Sequence, residues 1–76
     1  MEHTVDARGL SCPLPLIKAR AALASVGPGD ELVVLATDPE APIDVAAVAA
    51  DAGCTLRKEH DGEAWRLLVE RPGLAR

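Results

Sequence analysis

Residues 6–15 read Asp-Ala-Arg-Gly-Leu-Ser-Cys-Pro-Leu-Pro and mark the first change of structure along the chain. The residues just before Gly9 alternate weakly between polar and apolar side chains, which predicts a short strand that ends in a tight turn. Pro13 and Pro15 favour the first turn of a helix, where the backbone amides have no intrahelical partner to lose. The stretch therefore predicts a strand-to-helix junction with Cys12 at the start of the helix.

The remaining elements follow from periodicity and from glycine and proline positions. Helix formers and a broad apolar face that includes Ile17 predict a first helix, and Asp-Gly between two alternating runs is a strong hairpin signal. The predicted elements are strand 3–7, helix 16–26, strand 32–36, helix 43–52 ending at Gly53, and a hairpin of residues 54–60 and 64–70 around Asp61-Gly62.

The order strand, helix, strand, helix, strand, strand predicts an α+β fold. A right-handed crossover makes the first two strands parallel, and the hairpin makes the last two antiparallel. Two helices on one face of a mixed four-stranded sheet then form a two-layer α/β sandwich. We expect one domain over residues 1–76, with a frayed tail over about 71–76.

The composition limits the core that such a domain can build. The chain has 76 residues, and its hydrophobic fraction of 49% includes fourteen alanines and a single aromatic residue, Trp65. A core this thin supplies only about 3–5 kcal/mol in domains of this size. We therefore expect the function to lie at the surface rather than in a deep pocket.

Charge is distributed unevenly along an acidic chain. Twelve acidic and eight basic residues give a net charge of −4, which argues against direct nucleic-acid binding. No Lys or Arg occurs between Ala21 and Leu56, whereas Arg8, Lys18 and Arg20 lie close together in the N-terminal quarter. This cluster predicts a local positive field at one end of the domain.

The sequence contains two cysteines, and it shows no signal-peptide pattern and no apolar stretch of membrane-spanning length. This pattern predicts a cytoplasmic protein with reduced thiols and no membrane association. Cys12 is the candidate for chemistry, because a helix N-terminus and cationic neighbours stabilise a thiolate and make it nucleophilic. The residues alone leave an inert buried cysteine equally open at this point.

The string Gly-Leu-Ser-Cys-Pro-Leu-Pro, followed by a helix and by Thr37-Asp38-Pro39, resembles the TusA/SirA family of small sulfur-carrier proteins over essentially the whole chain. The resemblance implies a sulfurtransferase that accepts sulfane sulfur as a persulfide on Cys12, with Gly9 as the turn and Pro13 and Pro15 as shaping residues. It implies no cofactor and no metal. The implied partners are a sulfur-donor protein, such as a cysteine desulfurase or a rhodanese-like protein, and a sulfur-acceptor protein in a pathway such as tRNA thiolation.

Two other interpretations remain open. Cys12 and Cys54 could form a redox-active disulfide, although their spacing is not the Cys-X-X-Cys of thioredoxin-like motifs. The chain could also be an interaction or regulatory module without enzymatic activity, which would tolerate loss of Cys12. A zinc site is disfavoured because the paired spacings typical of structural zinc ligands are absent.

Overall fold

The computed structural model describes residues 2–11 and 13–72, and the elements follow the predicted order. The strands are β1 (Glu2–Ala7), β2 (Glu31–Ala36), β3 (Thr55–Asp61) and β4 (Ala64–Glu70), and the helices are α1 (Leu14–Leu23) and α2 (Ala41–Asp51). The predicted α+β fold class is confirmed. Within the described residues, no helix has both the length and the apolar character that a membrane span requires.

The four strands form one mixed sheet in the order β1-β2-β4-β3. β1 pairs in parallel with β2, as the crossover through α1 requires, and Ala7 lies opposite Ala36 at the carboxyl end of this pair. β4 pairs antiparallel with both β2 and β3. The sequence predicted the pairing within each half of the chain but not the contact between β2 and β4 that joins the halves.

The core lies between the sheet and the two helices. Alternate residues of β2 and β4 face the helices, and Trp65 of β4 is half-buried against the same core as Leu67 and Val69. The other buried members come from α1, α2 and the connection after α1. The buried core cluster comprises Ala19, Leu23, Val26, Leu32, Val34, Ala36, Ala41, Val45, Val48, Ala49, Leu67 and Val69.

The start of α1 departs from the prediction by two residues. Pro13 is the N-cap residue and Pro15 lies in the first turn, so α1 begins at Leu14 rather than at residue 16. Pro13 is exposed, but the side chain of Pro15 is fully buried. Pro15 therefore packs in the core, which its expected role as a shaping residue of the cysteine turn did not include.

The end of α1 also differs from the prediction, and it is bonded to a residue near the other end of the chain. The helix ends at Leu23, three residues before the predicted end, and Val26 is buried in the turn that follows. The Arg71 guanidinium donates to the carbonyl oxygens of Val26 (2.8 Å) and Leu23 (3.2 Å). Arg71 is therefore held against the end of α1, although the predicted frayed tail over about 71–76 includes it. Residues 73–76 of that tail lie outside the described residues.

Two smaller shifts concern α2 and the hairpin. α2 begins at Ala41 with Pro42 in its first turn, where proline loses no intrahelical bond, and it ends before Gly53, whose φ is 74°. In the hairpin Asp61 pairs with Ala64, so the loop is Gly62-Glu63 instead of Asp61-Gly62. Neither shift changes the topology.

The burial of Pro15 generates a stability prediction. Pro15→Ala removes two buried ring methylenes, at about 0.8 kcal/mol each, and increases the entropy of the unfolded chain. We expect a loss of about 2 kcal/mol in the free energy of unfolding, measured by urea denaturation. Pro13→Ala at the exposed N-cap is the matched control, and its loss should stay below about 1 kcal/mol. Equal losses in the two variants would contradict the packing role of Pro15.

Candidate functional site

Both helices begin at the same edge of the sheet. α1 follows β1 and α2 follows β2, and these strands are parallel, so both junctions lie at their carboxyl ends. Gly9 has φ 80°, the left-handed conformation that its turn requires, and its amide donates to Thr37 Oγ1 at 2.9 Å. This bond joins the loop after β1 to the loop after β2. Cys12, the predicted nucleophile, lies outside the described residues, between Ser11 and Pro13 of this loop.

The N-terminus of α1 has no side-chain cap among the described residues. Its N-cap is Pro13, and its first turn contains no acidic residue. The Leu14 amide donates to the carbonyl oxygen of Ser11 at 2.9 Å, so this amide is not available to a neighbouring anion. Pro13 and Pro15 have no amide hydrogen and the Ile17 amide donates to the Pro13 carbonyl oxygen, so the helix dipole and the Leu16 amide are what favour a negative charge at this end.

α2 also lacks a side-chain cap among the described residues, but acidic side chains lie at its start. The Asp38 carboxylate accepts a hydrogen bond from the Glu40 amide at 2.8 Å, and Asp44 lies in the first turn. Carboxylates near a helix N-terminus interact favourably with its dipole. The positive end of α2 is thus compensated by acidic side chains, whereas the described residues supply no such compensation at the start of α1.

Arg8 lies in the turn after β1, but its charge is largely paired. Its Nε and Nη2 donate to the two carboxylate oxygens of Asp6 at 2.9 and 2.8 Å, and its amide also donates to Asp6 Oδ1 at 3.1 Å. The Arg8 side-chain and backbone hydrogen bonds, with a smaller electrostatic contribution from Lys18, hold the pKa of Asp6 well below its usual range. Arg8 thus adds less positive field at the site than its sequence position predicts.

The two other predicted cations occupy different parts of α1. Lys18 is exposed and close enough to β1 to lower the pKa of Asp6, as a smaller influence than Arg8's own bonds. Arg20 lies in the last turn, where it lines an open cleft of about 250 Å³ together with Val48, Asp51 and Arg71. Arg20 therefore lies toward the end of the helices opposite the predicted site, whereas Lys18 acts on Asp6 at the end of β1.

Cys54 lies far from the loop that contains position 12. It precedes Thr55, which pairs with Glu70, and Glu70 pairs with Glu31 at the amino end of β2. The site is at the carboxyl end of β2, five residues or about 16 Å along the strand. Cys54 is a half-buried free thiol whose Sγ contacts the carbonyl oxygen of Ala52 at 3.8 Å. In residues 2–11 and 13–72, no cluster of three or more potential metal ligands occurs.

Sequence reasoning missed two kinds of residue at this end of the molecule. The first kind is polar: Asp6 accepts hydrogen bonds from Arg8, and Thr37 accepts one from the Gly9 amide. The close spacing of Asp6 and Arg8 in the sequence was the one signal that these two residues pair. The other kind is apolar: Leu14, Ile17 and Ile43 are exposed, although the helical pattern assigned Ile17 to the buried face.

The pairing of Asp6 with Arg8 predicts a pH dependence. The pKa of Asp6 is depressed in the folded state, so its contribution to stability is complete above the unfolded value of about 3.9 and is lost as the pH falls through the folded value. In an NMR titration the Asp6 carboxyl should stay ionised well below a pH of about 3.9, and Arg8→Met should move its midpoint back toward that value. A midpoint near about 3.9 in the unmodified protein would contradict the pairing.

Comparisons with known proteins agree with this architecture. Residues 3–71 match the family described as Sulfurtransferase TusA. Two proteins of Neisseria meningitidis, from serogroups A and B, have names that propose a sulfur-carrier role; each is 48% identical over 62 residues, which cover 79% of this chain and 84% of the relative. The crystal structure of a SirA-like protein from Desulfitobacterium hafniense has a TM-score of 0.78 and 30% identity, covering 91% of this chain and 95% of the other. The chain belongs to the TusA family of sulfurtransferases and sulfur carriers.

Proposed function

We propose that this protein accepts sulfane sulfur as a persulfide on Cys12 and relays it to an acceptor protein. Membership in the family supports a sulfur-carrier role. The structural observation that most strongly supports Cys12 as the acceptor is the start of α1, which directly follows position 12. Within the described chain, no side chain caps this helix N-terminus and no acidic residue lies in its first turn. A thiolate is an anion that suits such a position.

The proposed reaction is an exchange between a thiolate and a persulfide. The Cys12 thiolate attacks the outer sulfur of a donor persulfide, a new S–S bond forms, and the donor S–S bond breaks. The electron pair of the broken bond leaves on the donor cysteine, which departs as a thiolate. One sulfane sulfur moves and no external oxidant or reductant is consumed, so the step needs no cofactor. The same exchange in reverse order delivers the sulfur to an acceptor thiol.

The three basic residues near the start of the chain contribute unequally to the proposed stabilisation of the thiolate. Lys18 contributes positive charge to the end of the fold where α1 begins, whereas Arg8 is paired with Asp6 and Arg20 faces the cleft at the other end. We infer that Lys18 and the helix N-terminus together favour the thiolate. Pro13 and Gly9 would hold the loop in shape, since their backbone torsions restrict its path.

The donor would be a cysteine desulfurase or a rhodanese-like protein, and tRNA thiolation is one pathway such a relay can supply. A relay of this kind needs reduced thiols, which the cytoplasm maintains. A redox pair of Cys12 and Cys54 is not supported. The loop containing Ser11 and Pro13 lies at the end of the sheet opposite Cys54, and a disulfide requires Cα atoms within about 7 Å.

Sulfur loading tests the proposed acceptor. Incubation with a cysteine desulfurase and cysteine, or with a rhodanese and thiosulfate, should add the mass of one sulfur atom to the intact protein. Cys12→Ser should abolish the addition, because serine cannot form a persulfide. Cys54→Ala is the matched control and should load as the unmodified protein does. Equal loading of Cys12→Ser and the unmodified protein would contradict the proposal.

A further inference from the structure

The loop that contains position 12 has hydrogen bonds of two kinds. One kind is short-range: Arg8 bonds to Asp6, and the Leu10 amide donates to a carbonyl oxygen three residues earlier at 3.2 Å. Such bonds shape a turn without tying it to another part of the fold. The bond from the Gly9 amide to Thr37 Oγ1 is of the second kind, because it spans 28 residues and ties the turn to a separate loop.

Thr37 is itself held on both sides. Ala36, the residue before it, is fully buried and lies between β1 and β4 in the sheet. After it, the Ala41 amide donates to the carbonyl oxygen of Asp38 at 3.0 Å, in the turn that begins α2. A hydroxyl on such a support keeps its place, which is what a residue that orients a reactive loop requires.

Gly9 connects this support to the start of α1. It lies four residues before Pro13, the N-cap of α1, so only residues 10–12 separate the bonded amide from the helix. A connection of three residues limits how far its two ends can move apart. The bond to Thr37 therefore restricts the loop at one end, and the helix start restricts it at the other.

We propose that Thr37 is a positioning residue for sulfur transfer, whose hydroxyl acts through the Gly9 amide to hold the loop of Cys12 at the start of α1. This inference rests on the proposed function, which assigns the sulfur-accepting thiol to that loop. Thr37 carries no charge and its oxygen accepts the Gly9 bond, so it acts through the position of the loop. A loosened loop loses thiolate stabilisation by the helix start, because the effect of the dipole falls off within the first turn.

The test compares Thr37→Val with Thr37→Ser in the Cys54→Ala background, where Cys12 is the remaining thiol. Valine keeps the branched shape of threonine but cannot accept the Gly9 bond, whereas serine retains the hydroxyl. Thr37→Val should lower the rate of sulfur acceptance from inorganic polysulfide by about fivefold, the effect of one net hydrogen bond on the population of a conformation. Its midpoint for iodoacetamide alkylation against pH should rise by about half a pH unit. Thr37→Ser should match the parent protein in both measurements.

Thr55→Val is the matched control. Thr55 is also an exposed threonine with a hydrogen bond to the backbone, since its hydroxyl donates to the carbonyl oxygen of Glu70 at 3.4 Å. It lies at the opposite end of the sheet from the loop of Cys12, so its substitution should leave both measurements unchanged. Urea denaturation of each variant ensures that both rates are measured where the protein is fully folded.

The outcomes distinguish the two proposals. The positioning role is wrong if Thr37→Val matches the parent protein in either measurement, or if Thr37→Ser or Thr55→Val changes as much as Thr37→Val does. The carrier function stands in each of these cases, provided that the parent protein accepts sulfur on Cys12. If the parent protein accepts no sulfur from polysulfide or from a protein donor, the proposed function is wrong, and the alkylation profiles alone decide whether Thr37 positions the loop.

Discussion

The parallel pairing of β1 with β2 is the constraint on which the rest of this structure depends. With Ala7 opposite Ala36, the two strands end together, and a right-handed crossover brings each following helix back over the same face. Both helix starts must then lie at one edge of the sheet. The hydrogen bond from the Gly9 amide to Thr37 Oγ1 fixes the two loops at that edge to each other. The loop between β1 and α1 and the loop between β2 and α2 are neighbours as a result.

The partial positive charge at the N-terminus is compensated differently in the two helices. Neither helix has a side-chain cap among the described residues, but Asp38 lies just before α2 and Asp44 in its first turn, whereas the first turn of α1 contains no acidic residue. Asp6 neutralises Arg8 nearby, so the positive field at the start of α1 comes mainly from the helix itself and from Lys18. A domain with a net charge of −4 can in this way keep a local site that favours an anion.

Much of the fold could be predicted from local sequence signals. Gly9, the prolines of the first helix and the alternation of residues 64–70 indicated the order of elements, because each acts through torsion angles or periodicity within a few residues. The errors arise where distant parts of the chain meet. The last carbonyl oxygens of α1 accept hydrogen bonds from Arg71, which lies 48 residues beyond Leu23. The interior position of β4 likewise depends on pairing with β2 rather than on any local pattern.

The candidate site was predictable to a different extent. The position of the loop that contains Cys12 follows from the sequence, but the charge around it does not, since Arg8, Lys18 and Arg20 are indistinguishable until their neighbours are known. In the folded chain Arg8 is paired with Asp6, Arg20 lines the cleft at the far end of the helices, and Lys18 is close enough to Asp6 to lower its pKa. The burial of Pro15 and the exposure of Ile17 also depend on tertiary packing. The helical pattern alone does not distinguish them, because it gives both residues apolar neighbours.

The central claim is that the start of α1 activates the thiol at position 12. The most direct test is the pH dependence of iodoacetamide alkylation in the Cys54→Ala variant, where Cys12 is the remaining thiol, measured folded and in urea. The account predicts a folded-state titration midpoint below the ordinary thiol value of about 8.5 and a return to that value on unfolding. A folded-state midpoint at or above about 8.5 would contradict it.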